Sequence, residues 1–224
     1  MLIYKFLYWF IYLLFKPQIS EISGLENLPQ NEGFVLAANH QNSYDPLVLV
    51  AALKSFLWRN FIPQGKKLYF LGNVRLKVGV LKYSFISLAI NLLGEKMGYL
   101  PAAREGLHKA IKRIKNGHVV TIFPEGHRNP QPTLLKGRRG VAVLALLSGA
   151  KIIPVGCLGP PTRGLRQHLA GFVRQKKVIF GPALSFPQTN QETIDQKPAL
   201  LKIVTDCIMK EIGKTSQKQY PSNY

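Results

Sequence analysis

Short apolar runs of strand length alternate with stretches of helical periodicity, and nothing else in the sequence restricts the fold as much. Residues 34–38, Phe-Val-Leu-Ala-Ala between Gly33 and Asn39, read as a buried strand. A helical run follows from Asp45 to about Leu53, with Asp45 as its N-cap and Pro46 at the first helical position. The apolar run 78–93 reads as a second helix. Residues 102–115 set Leu107, Ala110, Ile111 and Ile114 in one stripe, and Asn116-Gly117 closes that helix. Strand patterns recur at 118–123, 151–157 (with Pro154 inside) and 172–180, and helical patterns at 140–147 and 198–212. The alternation predicts an α/β domain with a mainly parallel central sheet flanked by helices. No internal repeat or domain boundary interrupts it.

The first fifteen residues, MLIYKFLYWFIYLLF, carry one charge, Lys5, and are followed by Lys16-Pro17. As a helix they reach about 22 Å, short of a hydrocarbon core roughly 30 Å thick. No small-residue cleavage site follows, and Tyr and Trp favour the headgroup boundary. The expected organisation is therefore a membrane-anchoring helix over 1–16, dipping into one leaflet, a folded domain over 17–215 and a flexible tail over 216–224.

The chain has 30 Lys and Arg against 11 Asp and Glu, a formal charge of +19, which implies an anionic partner. Nucleic acid, an acidic membrane surface and a phosphorylated substrate all meet that description. No zinc-finger spacing or aromatic RNP-like strand accompanies the charge, and the apolar N-terminus argues against nucleic acid. Two cysteines, Cys157 and Cys207, make neither a disulfide framework nor a metal-ligand pattern. No carboxylate side chain lies between Asp45 and Glu95, and none between Glu125 and Glu192. Asp45 and Glu125 each border a long acid-free stretch, so a specific role for them is worth testing.

Two loops carry residue types suited to chemistry. Asn39-His40-Gln-Asn-Ser-Tyr-Asp45 sets a His and an Asp five residues apart between a strand end and a helix start. A His that takes a proton from an alcohol needs a free acceptor nitrogen and a carboxylate on its other ring N–H. The alternative is a helix-capping Asp beside an ordinary loop His. Phe123-Pro-Glu125-Gly126-His127-Arg128-Asn129 follows a strand, where ligands bind in open α/β sheets. Arg128 offers a planar fork to phosphate or carboxylate, and Gly126 permits close backbone approach.

Asn39-His40-x4-Asp45 followed by Phe123-Pro-Glu-Gly-x-Arg128 resembles the glycerolipid acyltransferases of the 1-acylglycerol-3-phosphate acyltransferase type. Arg138-Arg139-Gly140 stands where that family often has Lys-x-Gly. Ile153-Pro154-Val155 resembles its fourth block, and residues 178–182 its closing strand. Two departures are visible. His127-Arg128-Asn129 replaces the common Thr-Arg-Ser, and the second block has no clean copy. Residues 94–101 occupy its place, so Lys96 or Arg104 would supply its cation.

The resemblance implies that His40 is the general base, oriented by Asp45, for direct attack of an acceptor hydroxyl on an acyl thioester. Glu125, Gly126 and Arg128 would hold the glycerol-phosphate end, with Lys96, Arg104 and Arg138 as further phosphate contacts. It implies no metal and no cofactor beyond acyl-coenzyme A or acyl carrier protein as co-substrate, and lysophosphatidic acid as acceptor. Glycerol 3-phosphate and other lysophospholipids stay open as acceptors. So, from other classes, do a basic nucleic-acid module and a catalytically silent membrane scaffold. The chain's size and simplicity point to the cytoplasmic face of a bacterial cell membrane, an organelle membrane being the alternative.

Overall fold

The computed structural model describes residues 2–72, 95, 98–160 and 176–221. The run 78–93 and Lys96 lie outside the described residues, as do 172–175 of the last expected strand. Along the described chain come α1 (Leu2–Phe15), β1 (Ile19–Ser23), β2 (Val35–Ala38), α2 (Asp45–Asn60), β3 (Leu68–Gly72) and β4 (Tyr99–Pro101). They are followed by α3 (Arg104–Lys115), β5 (Val119–Ile122), α4 (Gly140–Ser148), β6 (Ile152–Leu158), β7 (Lys176–Phe180), α5 (Gln191–Gln196) and α6 (Pro198–Ser216).

The strands form one sheet in the order β1-β7-β6-β2-β5-β3-β4. All neighbouring pairs are parallel except β6 with β7, which is antiparallel. β2 lies at the centre, Val35 registering with Val120 on one side and with Ile152 on the other. Its four residues are fully buried, as a strand covered on both faces requires. Phe34, Leu36 and Ala38 pack in one layer with α1 and α2. Val35 and Ala37 pack in the other, with α3, α4 and α6. The chain thus leaves β2 toward one face, through α2, and leaves β5 toward the opposite face, through α4. Neighbouring strands whose connections part in this way open a crevice at their C-terminal ends.

Several expectations need adjusting. Asp45 is not the N-cap: α2 begins at Asp45 after Tyr44, with no side-chain cap hydrogen bond, and continues past Leu53 to Asn60. Strands β1, β3 and β4 add to those read from the sequence. The segment expected as a flexible tail starts inside α6, and its described part is held by the domain. Gln219 bridges to Thr133, and the Tyr220 hydroxyl donates to Asp206 at 2.7 Å.

Helix α1 divides its apolar surface in two. Tyr8, Ile11 and Phe15 are buried with α2, whereas Phe6, Trp9, Phe10, Leu13 and Leu14 are exposed. Lys54 of α2 sits over the Tyr12 ring, 4.6 Å from its centroid. Among the described residues no helix is long and apolar enough to cross a membrane.

Candidate active site

The loop 39–44 carries the chain from the end of β2 to the start of α2, and four side chains fix its path. Asn39 is fully buried. Its amide donates to the Cys157 carbonyl at 3.0 Å and accepts from the Cys157 N–H at 2.6 Å, locking the loop to β6. Gln41 donates to the Gly159 carbonyl, and Asn42 to that of Pro160 at 3.4 Å. Asp45, at the first turn of α2, folds back over the loop. One oxygen, Oδ2, accepts from the backbone N–H groups of Gln41 at 2.7 Å and Asn42 at 2.6 Å.

That same oxygen lies 3.2 Å from Nδ1 of His40. The carboxylate side chain is 4% exposed and the imidazole 19%, so the histidine is the member of the pair open to a substrate. The imidazole stacks on Phe123, with ring centroids 4.4 Å apart and planes inclined by 28°. A carboxylate at Nδ1 favours the proton there and leaves the lone pair on Nε2. The arrangement can accept a proton from a hydroxyl at Nε2 and stabilise the imidazolium that results.

The loop after β5 is fastened to the same spot. Glu125, buried, accepts three hydrogen bonds: from the backbone N–H of His40 (3.1 Å), the Asn129 side-chain amide (2.7 Å) and the backbone N–H of Leu135 (3.0 Å). The Asn129 N–H donates in turn to the His40 carbonyl at 2.6 Å. Both backbone groups of His40 are therefore held by the 123–129 loop.

Cations crowd the rim. Gly126 has φ +71°, and a Cβ there would come within 2.1 Å of Nε of Arg138, so only glycine lets that guanidinium lie across the loop. Arg138 also donates its backbone N–H to the Pro124 carbonyl at 2.8 Å and lies 2.6 Å from Nε2 of His127. Arg128 donates to the Ser43 hydroxyl, joining the two loops from outside. The Lys218 ammonium donates to the carbonyls of Asn129 and Gln131. Burial holds its pKa below the ordinary lysine value, against the pull of Glu125 and Asp45. Burial, and then the Asp45 charge, push the Cys157 thiol well above its usual range, so it stays protonated.

Of the residues singled out from the sequence, His40, Asp45, Glu125, Gly126, Arg128 and Arg138 converge at the ends of β2 and β5. Arg104 opens α3, exposed, beyond β4 at the sheet's edge. Sequence reasoning missed Asn39, Asn129 and Lys218 as parts of this corner. Asn129 was visible as a departure from a motif, but its link to Glu125 was not.

The acyltransferase family model matches residues 19–158, from β1 through β6, including both loops. This chain belongs to the acyltransferase family. Among acyltransferase relatives, the 1-acyl-sn-glycerol-3-phosphate acyltransferase of Borreliella burgdorferi is 26% identical over 201 residues, 85% of this chain and 70% of that one. The Bacillus subtilis protein of the same name is 26% identical over 140 residues, 60% of each chain. The chloroplastic LPAT1 of Arabidopsis thaliana is 28% identical over 146 residues, and the match spans only 35% of its length. The solved structure of PlsC, the 1-acyl-sn-glycerophosphate acyltransferase of Thermotoga maritima, shares the fold. It superposes with a TM-score of 0.53 at 19% identity, covering 92% of this chain and 80% of its own.

Proposed function

We propose that this acyltransferase moves a fatty acyl group from a thioester to the sn-2 hydroxyl of 1-acylglycerol 3-phosphate, giving phosphatidic acid. The observation that carries the reading is the His40–Asp45 pair, 3.2 Å apart in a crevice whose rim bears Arg128 and Arg138. The names of the relatives support the acceptor.

His40 Nε2 takes the hydroxyl proton as the oxygen attacks the thioester carbonyl carbon, and Asp45 stabilises the imidazolium. The tetrahedral intermediate collapses with loss of the C–S bond, and the thiolate leaves with the proton from His40. No covalent acyl-enzyme is needed, and the buried, protonated Cys157 offers no nucleophile. Arg128 and Arg138 receive the acceptor's phosphate, with Lys96 and Arg104 as the further candidates drawn from the sequence. Glu125 and Gly126 shape the loop that presents them.

The exposed face of α1, Phe6, Trp9, Phe10, Leu13 and Leu14, lies in the lipid interface. A charge of +19 favours an anionic leaflet, the cytoplasmic one, and suits a strongly acidic donor, acyl-coenzyme A or acyl carrier protein.

Acceptor competition tests the substrate: with detergent-solubilised protein and acyl-coenzyme A, lysophosphatidic acid should outcompete lysophosphatidylcholine and glycerol 3-phosphate. Equal or better use of either competitor would overturn the assignment.

A further inference from the structure

Strand β7 begins beside the end of β6, Lys177 registering with Leu158, so its first residues reach the edge that carries the His40 and Glu125 loops. Lys177 points outward and makes a surface ion pair with Glu21 at 2.8 Å. Lys176, one residue earlier, has the opposite parity. It is 6% exposed and shares the buried α1/α2 layer with Val178 and Phe180. Its carbonyl is fixed by the Ser20 hydroxyl at 3.1 Å, and the residue registers with Ile19 of β1. The ammonium has no hydrogen-bond partner among the described residues. An unbonded ammonium inside an apolar layer is costly, and a methionine of similar length would avoid the cost.

Among the described residues, the Asp45 carboxylate of α2 and the Cys157 thiol of β6 act on this ammonium by charge, without a hydrogen bond to it. Cys157 is the residue whose backbone Asn39 clamps, so β7, β6 and the His40 loop meet at one corner. Burial draws the Lys176 pKa down, while Asp45 and Cys157 draw it back up. Among the described residues, the other charged groups at this corner are Glu125, on the His40 backbone, and Lys218, which senses both Glu125 and Asp45. Lys176 and Lys218 thus both act on one carboxylate, Asp45, from different parts of the chain.

We infer that Lys176 is a positioning residue for acyl transfer, a buried cation that balances Asp45 and sets how readily His40 gives up its proton. This inference rests on the role proposed for His40. A carboxylate that loses one of its opposing cations holds the imidazolium more tightly. The imidazolium would then return its proton to the leaving thiolate less readily. A nearby cation offsets part of that attraction without touching the substrate.

The test compares wild type, Lys176→Met and Lys176→Arg as full chains. In Lys176→Met the acid limb of the kcat/KM profile should move to higher pH by about half a unit or more. Its kcat at neutral pH should fall about twofold or more, with KM for donor and acceptor within about twofold. Thermal unfolding should occur at the same or a higher temperature, because an unbonded buried charge has been removed. Lys176→Arg, which keeps a cation, should lie closer to wild type in both profile and kcat. A second readout needs no turnover: the ring signal of His40, assigned by its loss in His40→Ala, should titrate at higher pH in Lys176→Met. An unshifted ring titration in folded Lys176→Met overturns the inference, whether or not the protein turns over. Absence of acyl transfer in wild type, with the titration shifted as expected, overturns the proposed reaction and leaves the Lys176–Asp45 coupling standing.

Discussion

Asn39 grips both backbone groups of Cys157, donating to its carbonyl at 3.0 Å and accepting from its N–H at 2.6 Å. This two-sided clamp substitutes a side chain for a rung of the β2–β6 ladder where β2 has ended. It lets the chain turn toward α2 without leaving the N–H and carbonyl of Cys157 unpaired, and it fixes the residue immediately before His40.

Replacing Asn39 by Leu removes both bonds while keeping the volume. Two buried backbone groups lose their partners, and the protein should become less stable by about 2–4 kcal/mol. The midpoint of urea unfolding reads this directly. A loss below about 1 kcal/mol would mean that water or a shifted loop replaces the clamp.

Glu125 is held by three donors, so its isosteric amide is not a mild change. In Glu125→Gln an NH2 group must face either the His40 N–H or the pair from Asn129 and Leu135. Donor meets donor in either orientation, and the cost should be about 2–3 kcal/mol despite the unchanged shape. Chemical unfolding of the variant, beside its kcat, checks the point. A variant as stable as wild type would contradict the three-donor arrangement.

How far the sequence disclosed this corner depends on the range of the interaction. The His40-to-Asp45 spacing was readable because both residues belong to one turn between β2 and α2. The helix start was read one residue too late, since an Asp before a Pro has the composition of a cap. Here its carboxylate turns back to Gln41, Asn42 and His40 instead. The link from Glu125 to His40 spans 85 residues, and no local pattern announces it. Strand β1, Ile-Ser-Glu-Ile-Ser, carries too few apolar residues to stand out, because it is an edge strand with Glu21 turned to Lys177. The antiparallel direction of β7 is equally invisible, since the apolar pattern of a strand does not encode its direction. The burial of Lys176 is hidden as well, because it depends on which face β7 presents.

His118 gives the fold a pH dependence. Its Nδ1 accepts the Lys67 N–H at 3.0 Å, and its pKa is lowered to about 4, by burial first and then by Arg113, Lys66 and Lys67. An unfolded histidine keeps a value near 6.5, so the unfolded chain takes up the proton first as pH falls. The stabilisation is complete above about pH 6.5 and is lost progressively down to about pH 4. Between pH 7 and pH 5, wild type should lose on the order of 1–2 kcal/mol more than His118→Asn, which retains an acceptor but does not titrate. Parallel stability curves for the two proteins would show that His118 is not a source of acid sensitivity.

The exposed face of α1 should behave as a lipid contact independent of the core. Phe10 and Leu13 point away from the buried Tyr8, Ile11 and Phe15. Phe10→Glu with Leu13→Glu should therefore leave thermal unfolding nearly unchanged. Partition onto anionic phospholipid vesicles should fall about tenfold or more. Vesicle flotation at fixed salt reads the partition directly. Equal flotation of both proteins would assign membrane attachment to another surface.

The most direct test is transfer of a labelled acyl group from acyl-coenzyme A to lysophosphatidic acid, comparing wild type with His40→Ala. The account predicts labelled phosphatidic acid from wild type and a loss of about a hundredfold or more in the variant, whose fold is intact. Equal product from the two proteins would contradict His40 as the base.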